Sequence, residues 1–115
     1  MIKHIVMWDV RGDSAEEKQA AAFDLKAKFE SLRGEIPGLL FLEVGIDFSR
    51  VDYACDVVLY SEFTDQASLE GYATHPAHLR VRDSLKDVRI ARHQVDYSPF
   101  KSASCGFRAA TTPPS

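Results

Sequence analysis

The order of hydrophobic patterns along the chain predicts an α+β fold of the ferredoxin-like βαββαβ kind: an antiparallel four-stranded sheet with two helices on one face. Three observations predict it. Short runs rich in β-branched and aromatic residues at 2–9, 39–48, 55–63 and 88–97 alternate with segments of helical period. Capping residues precede the helical segments, and Pro37-Gly38 follows the first of them. The 115 residues, 45% of them apolar, suffice for one hydrophobic core and leave little room for a second.

Each element has its own signal. The first strand closes at the charged, glycine-containing turn Arg11-Gly12-Asp13. Ser14-Ala15-Glu16-Glu17 is a capping box, so a helix begins there. Ala22, Leu25, Phe29, Leu32 and Ile36 make one apolar stripe, which predicts a helix running to the Pro37-Gly38 stop. In the second strand, Gly45 marks a bulge or a close backbone approach. The third strand is apolar at successive positions, Val57, Val58 and Leu59, as a strand covered on both faces would be. Thr64-Asp65 caps a short helix to about residue 74. Pro76 suits a first helical position, and the helix it opens runs to about Lys86. The domain is therefore 1–97. Residues 98–115, rich in Ser, Ala, Thr and Pro, are expected to form a tail that is disordered or docks on a partner through Phe100 and Phe107.

Composition narrows the functional classes. A net charge of −3 argues against a general nucleic-acid binder. The apolar run at the N-terminus is too short for a signal peptide, and no segment is long enough to span a bilayer. Cys55 and Cys105 lack disulfide-framework or metal spacing, which points to reduced thiols in the cytoplasm. On strand one neither Lys3, Ile5, Met7 nor His4, Val6, Trp8 is a purely polar set, and Val58, Tyr60 and Val57, Leu59, Ser61 behave likewise on strand three. Both sheet faces therefore need cover, and a second copy of the chain, giving a two-fold homodimer, is the expected one.

The chemistry concentrates in Tyr72-Ala73-Thr74-His75-Pro76-Ala77-His78. Proline forces residue 75 out of helical geometry, so the chain bends and side chains from two helical pieces can face one cavity. A neutral imidazole at His78 can take a proton from a carbon beside a carbonyl, and Tyr72 can donate to the resulting enolate. The structural alternative for His78 is a bond to backbone, for His75 a helix cap, and for His4 a hydrogen-bonded core histidine. His4, Val6 and Trp8, with Leu59 and Ser61 of the same parity, are expected to line the cavity, and Phe29 to wall it. A metal site is not expected: His75 and His78 with Glu70 or Asp83 lack the closed spacing that zinc needs. Arg82, Lys86 and Arg89 fall at helical spacing; such a basic stripe can steer an anionic ligand toward the pocket, but it equally complements the helix dipole and reads as a solvated face.

Lys3-His4-Ile5-Val6, Ile36-Pro37-Gly38-Leu39, Glu43-Val44-Gly45, Glu62-Phe63, Tyr72-x-x-His75-Pro76-x-His78 and Val95-Asp96-Tyr97 together resemble the stress-responsive A/B barrel domain (Dabb) proteins of the dimeric α+β barrel superfamily. The resemblance covers residues 1–97. It implies a homodimeric barrel around a small organic ligand. One plant branch holds polyketide cyclases that close a poly-β-keto chain by aldol condensation without a cofactor. There the motif's second histidine is the base and the tyrosine assists, which implies His78 and Tyr72 as the catalytic pair with His4 and His75 beside the pocket. The chain departs from that branch at Arg92 and Gln94, where the cyclases are apolar, so a more polar or anionic ligand is expected. A cofactor-free cyclase, lyase or isomerase is the first reading. A non-catalytic stress or assembly protein and a cofactor-independent monooxygenase are the rivals.

Overall fold

The computed structural model describes residues 1–99. Its elements are β1 (Ile2–Val10), α1 (Ala15–Glu30), β2 (Leu39–Ile46), β3 (Val57–Phe63), α2 (Gln66–Thr74), α3 (Pro76–Leu85) and β4 (Arg89–Tyr97). The strands form one antiparallel sheet in the order β2-β3-β1-β4. This is the predicted ferredoxin-like βαββαβ arrangement, with the second helix broken into α2 and α3. The tail expected beyond Tyr97 lies, from Phe100 onward, outside the described residues.

Strand alternation builds the core. On β1, His4, Val6, Trp8 and Val10 are buried on the helix side, joined by Val57, Leu59, Ser61 and Phe63 of β3 and by Leu42 and Val44 of β2. Ala22, Leu25 and Phe29 of α1 and Leu69 and Tyr72 of α2 close over them. Full burial of a side chain such as Leu25 or Phe29 contributes roughly 2 kcal/mol. The capping box forms as read: Ser14 Oγ accepts from the Glu17 N–H, and the Glu17 carboxylate accepts from the Asp13 N–H.

The first helix is shorter than its apolar stripe implies. It ends at Glu30, and Leu32 and Ile36 reach the core from turns. The bonds from Leu32 N–H to Phe29 O and from Glu35 N–H to Leu32 O have three-residue spacing, and Gly34 adopts φ 81°, so the helical register is lost before Pro37. The third strand starts at Val57 rather than residue 55, and the second stops at Ile46 rather than residue 48. Gly45 is a close approach and not a bulge, since a Cβ there would meet Val58 Cγ1 at 3.2 Å. The irregularities fall instead at Leu40, between β2 and β3, and at Ala91, between β1 and β4.

The opposite sheet face is apolar at its centre. The rows Tyr60–Ile5–Val95 and Val58–Met7–His93 run across β3, β1 and β4. Phe41 packs edge-on to Tyr60 at 5.9 Å. On the flanking strands of that face, Phe41, Val95 and Tyr97 remain 45%, 49% and 43% exposed, an apolar surface that a further layer would cover. Among the described residues no helix is long and apolar enough to cross a membrane.

Candidate active site

β4 is an edge strand, and its helix-side residues lie directly opposite those of β1: Arg92 opposite Trp8, Gln94 opposite Val6 and Asp96 opposite His4. The three β4 side chains form a chain of contacts. Arg92 Nη2 donates to Gln94 Oε1, Gln94 Nε2 donates to Asp96 Oδ2 at 3.1 Å, and the His4 ring meets Asp96 Oδ1 at 2.5 Å. A carboxylate accepts, so His4 Nδ1 carries the proton and Nε2 keeps its lone pair. Burial pushes the His4 pKa below its ordinary value, and Asp96 opposes that shift.

The elbow between α2 and α3 supplies the other half. Asp65 caps α2 through the Ser68 N–H, and α2 delivers Tyr72 near its end. His75 is extended (φ −65°, ψ 136°), and its Nδ1 accepts from the Ala77 N–H at 3.0 Å. His75 is thus the cap of α3, with Pro76 behind it. His78 then turns back. Its Nδ1 lies 3.3 Å from the Ala73 carbonyl, which can only accept, so Nδ1 is protonated and Nε2 is free to act as a base. The His78 and Tyr72 rings pack with centroids 4.2 Å apart, and His4 stands edge-on to Tyr72 at 6.1 Å.

Electrostatics fixes the protonation states. Burial, first among the causes, drives the His78 pKa down to about 4, with Arg82, Arg89 and His4 adding to the shift and the Ala73 carbonyl opposing it. His78 is therefore neutral at pH 7. Burial pushes the Tyr72 phenol well above its ordinary value, so it stays a donor, and its hydroxyl bonds to none of the described residues. A neutral imidazole beside a protonated phenol suits proton transfer at a carbon next to a carbonyl.

The remaining expected site residues divide by depth. Val6, Trp8, Phe29, Leu59 and Ser61 are each under 5% exposed and lie buried between the sheet and the helices, with Trp8 stacked on Phe29 at 5.4 Å and Ser61 Oγ donating to the His4 carbonyl. Arg92 is exposed and Gln94 half-buried. Sequence reasoning passed over one residue and misplaced another. Asp96 orients His4; its parity with Gln94 on β4 was the available signal. Arg89 is not part of a helical stripe: it is the first residue of β4, half-buried, with its guanidinium 4.9 Å from the Trp8 ring centre. Among the described residues no three His, Cys, Asp or Glu side chains gather as a metal site would require.

A sheet with this order, helices on one face and an imidazole and phenol at the helix elbow define a ferredoxin-like α+β barrel protein. The family model of the stress responsive A/B barrel domain (Dabb) matches residues 2–99, and the chain belongs to that family. Among solved structures it is similar to a dimeric protein of unknown function and ferredoxin-like fold from Bacteroides fragilis, at 33% identity and TM-score 0.74 over 84% of this chain and 93% of that one. A dimeric ferredoxin-like protein of unknown function from Jannaschia is 27% identical, with TM-score 0.65 over 84% and 97% of the two chains. The hydroxynitrile lyase of Passiflora edulis shares the fold at 15% identity, with TM-score 0.69 over 84% and 90%. Comparison with curated proteins gave no match.

Proposed function

We propose that the chain is a cytoplasmic homodimer that binds a small organic ligand between the α2–α3 elbow and the inner face of β4, and acts on it by proton transfer without a cofactor. The observation that carries this reading is the pairing of Tyr72 and His78, 4.2 Å apart, with the imidazole Nε2 and the phenol hydroxyl both unspent. His78 Nε2 takes the proton from a carbon beside a carbonyl. The C–H electron pair passes to the carbonyl oxygen, and Tyr72 donates a hydrogen bond to the enolate. Attack on a second carbonyl then gives cyclisation, reprotonation elsewhere gives isomerisation, and expulsion of a leaving group gives a lyase. The homodimer is supported by the uncovered apolar sheet face and by the dimeric proteins of the same fold.

A base whose conjugate acid titrates at about 4 is weak, which favours activated carbon acids such as β-dicarbonyl compounds. The same depressed value favours the second reading, a binding protein with a structural His78. Exchange of the α-protons of a panel of β-dicarbonyl ketones in D2O, followed by NMR, separates the two. Proton transfer predicts exchange faster than in buffer and lost in His78→Gln with ketone binding retained. Equal exchange by both proteins makes the chain a non-catalytic binder. Native mass spectrometry tests the assembly, and a clean monomer would remove the homodimer.

A further inference from the structure

Within the proposed ligand site one charged side chain has no neutralising partner among the described residues. Arg89 packs against Trp8 and Phe29, its guanidinium carbon 4.9 and 5.7 Å from the two ring centres. Its Nε is buried with no acceptor, and among the described residues its one hydrogen bond is a long one, 3.4 Å from Nη2 to the Arg82 carbonyl. Among the described residues no carboxylate reaches it, although acids outnumber bases in this chain, 17 to 14. Arg82 is paired with Asp83, Arg50 with Asp47 and Asp56, and Arg33 with Glu30. Arg92, beside it, reaches only the neutral amide of Gln94, and Asp96 beyond that amide is engaged by His4. Residues 98–115 contain no Asp or Glu.

The backbone places both guanidiniums on the same side. Residues three apart on a regular strand point to opposite faces. Here the register slips between Trp8 and Asp9, so that Arg92 lies opposite Trp8 while Arg89 lies opposite Val10, and both share the helix side of the sheet. The slip is absorbed at Ala91, a non-glycine residue at φ 54°. A bulge that holds alanine in the left-handed region costs about 1 kcal/mol or more, and such bulges re-aim side chains beside active sites.

Resting on the ligand-site reading above, we propose that Arg89 and Arg92 form an anion subsite that holds the carboxylate of an organic acid, leaving that acid's carbonyl-bearing part to Tyr72 and His78. A carboxylate gives the orphaned guanidinium the planar, charge-assisted partner that the protein withholds. Trp8 and Phe29 hold the Arg89 plane in place before the ligand arrives, so little conformational entropy is lost on binding. The charge of Arg89 acts on Tyr72 and on His78, so an anion placed there is felt by both.

The test pairs small carboxylic acids with their methyl esters, from acetate to the stable keto acid 3-benzoylpropionate, and measures binding to the full chain by calorimetry and NMR titration. The acid of each pair is expected to bind about tenfold more tightly than its ester, the effect of one charged pair. Arg89→Gln is expected to bring the acid-to-ester affinity ratio of each pair down toward one, and Arg89→Lys to keep part of it. Equal affinity for acid and ester, or a preference that survives Arg89→Gln together with Arg92→Gln, overturns the anion subsite and leaves the organic-ligand reading standing. Binding of neither member of any pair overturns both. If Arg89→Gln fails to fold, as a thermal melt would show, the acid-to-ester ratio of wild type and of Arg89→Lys decides the matter.

Discussion

Stability should fall as the pH drops from neutrality, and His78 supplies an identifiable share of the fall. Its pKa lies at about 4 in the folded protein against an ordinary 6.5, chiefly because burial disfavours the charged ring. The unfolded chain therefore binds a proton between those two values that the folded chain refuses. The contribution is fully present above pH 6.5 and is lost progressively as the pH falls toward 4. Integrating the linkage gives a loss of at most about 2 kcal/mol between pH 7 and pH 5, and about 3 by pH 4. Urea unfolding at fixed protein concentration measures it, since about 2 kcal/mol moves the midpoint by roughly 1 M for a domain this size. Carboxylates and His4 contribute to the same slope, so the comparison is with His78→Gln, whose amide can still donate to the Ala73 carbonyl. That variant begins less stable, having lost its ring contact with Tyr72, but its stability should drop between pH 7 and pH 5 by at least 1 kcal/mol less than wild type, on the order of the linkage just worked. Parallel profiles for the two proteins would refute the claim that burial holds the ring neutral.

Asp96→Asn removes the carboxylate that opposes desolvation at His4, so the midpoint of the His4 ring in an NMR titration should move further down. Gly38→Ala should destabilise the fold by about 2–4 kcal/mol in chemical denaturation, because φ is 83° there and a Cβ would sit 2.2 Å from Ser68 Oγ. Val95→Asp places a charge directly opposite Ile5 at the centre of the uncovered sheet face and should turn the proposed dimer into a monomer by light scattering, with the helix content in circular dichroism unchanged. Ser14→Ala should cost about 1 kcal/mol of stability through the lost bond to the Glu17 N–H.

Much of this molecule is written in local patterns. The apolar run of β1, the capping box at Ser14, the Thr64-Asp65 cap and the His75-Pro76 break each depend on residues a few positions apart, and each appears where the pattern places it. The position of His75 as a cap follows from Pro76 alone. The end of α1 was misread for the same local reason: Leu32 and Ile36 keep the apolar spacing of a helix, but they reach the core from a tighter turn, and burial does not distinguish the two geometries.

By itself the sequence determined the fold class, the element order and the presence of a phenol and two imidazoles around one helix start, because short-range sterics and hydrophobic periodicity decide those. Only the tertiary structure decided which groups meet. Asp96 reaches His4 across 92 positions of sequence, and that pairing requires the β1–β4 register. Arg89 and Arg92 share a face only because one residue, Ala91, is extruded from the ladder. A single-residue slip reverses the side of every residue beyond it, and nothing in a period-two pattern announces where the slip will fall. The depressed basicity of His78 likewise arises from burial beneath helices packed on a sheet, a property of the assembled layers that no spacing in the chain encodes.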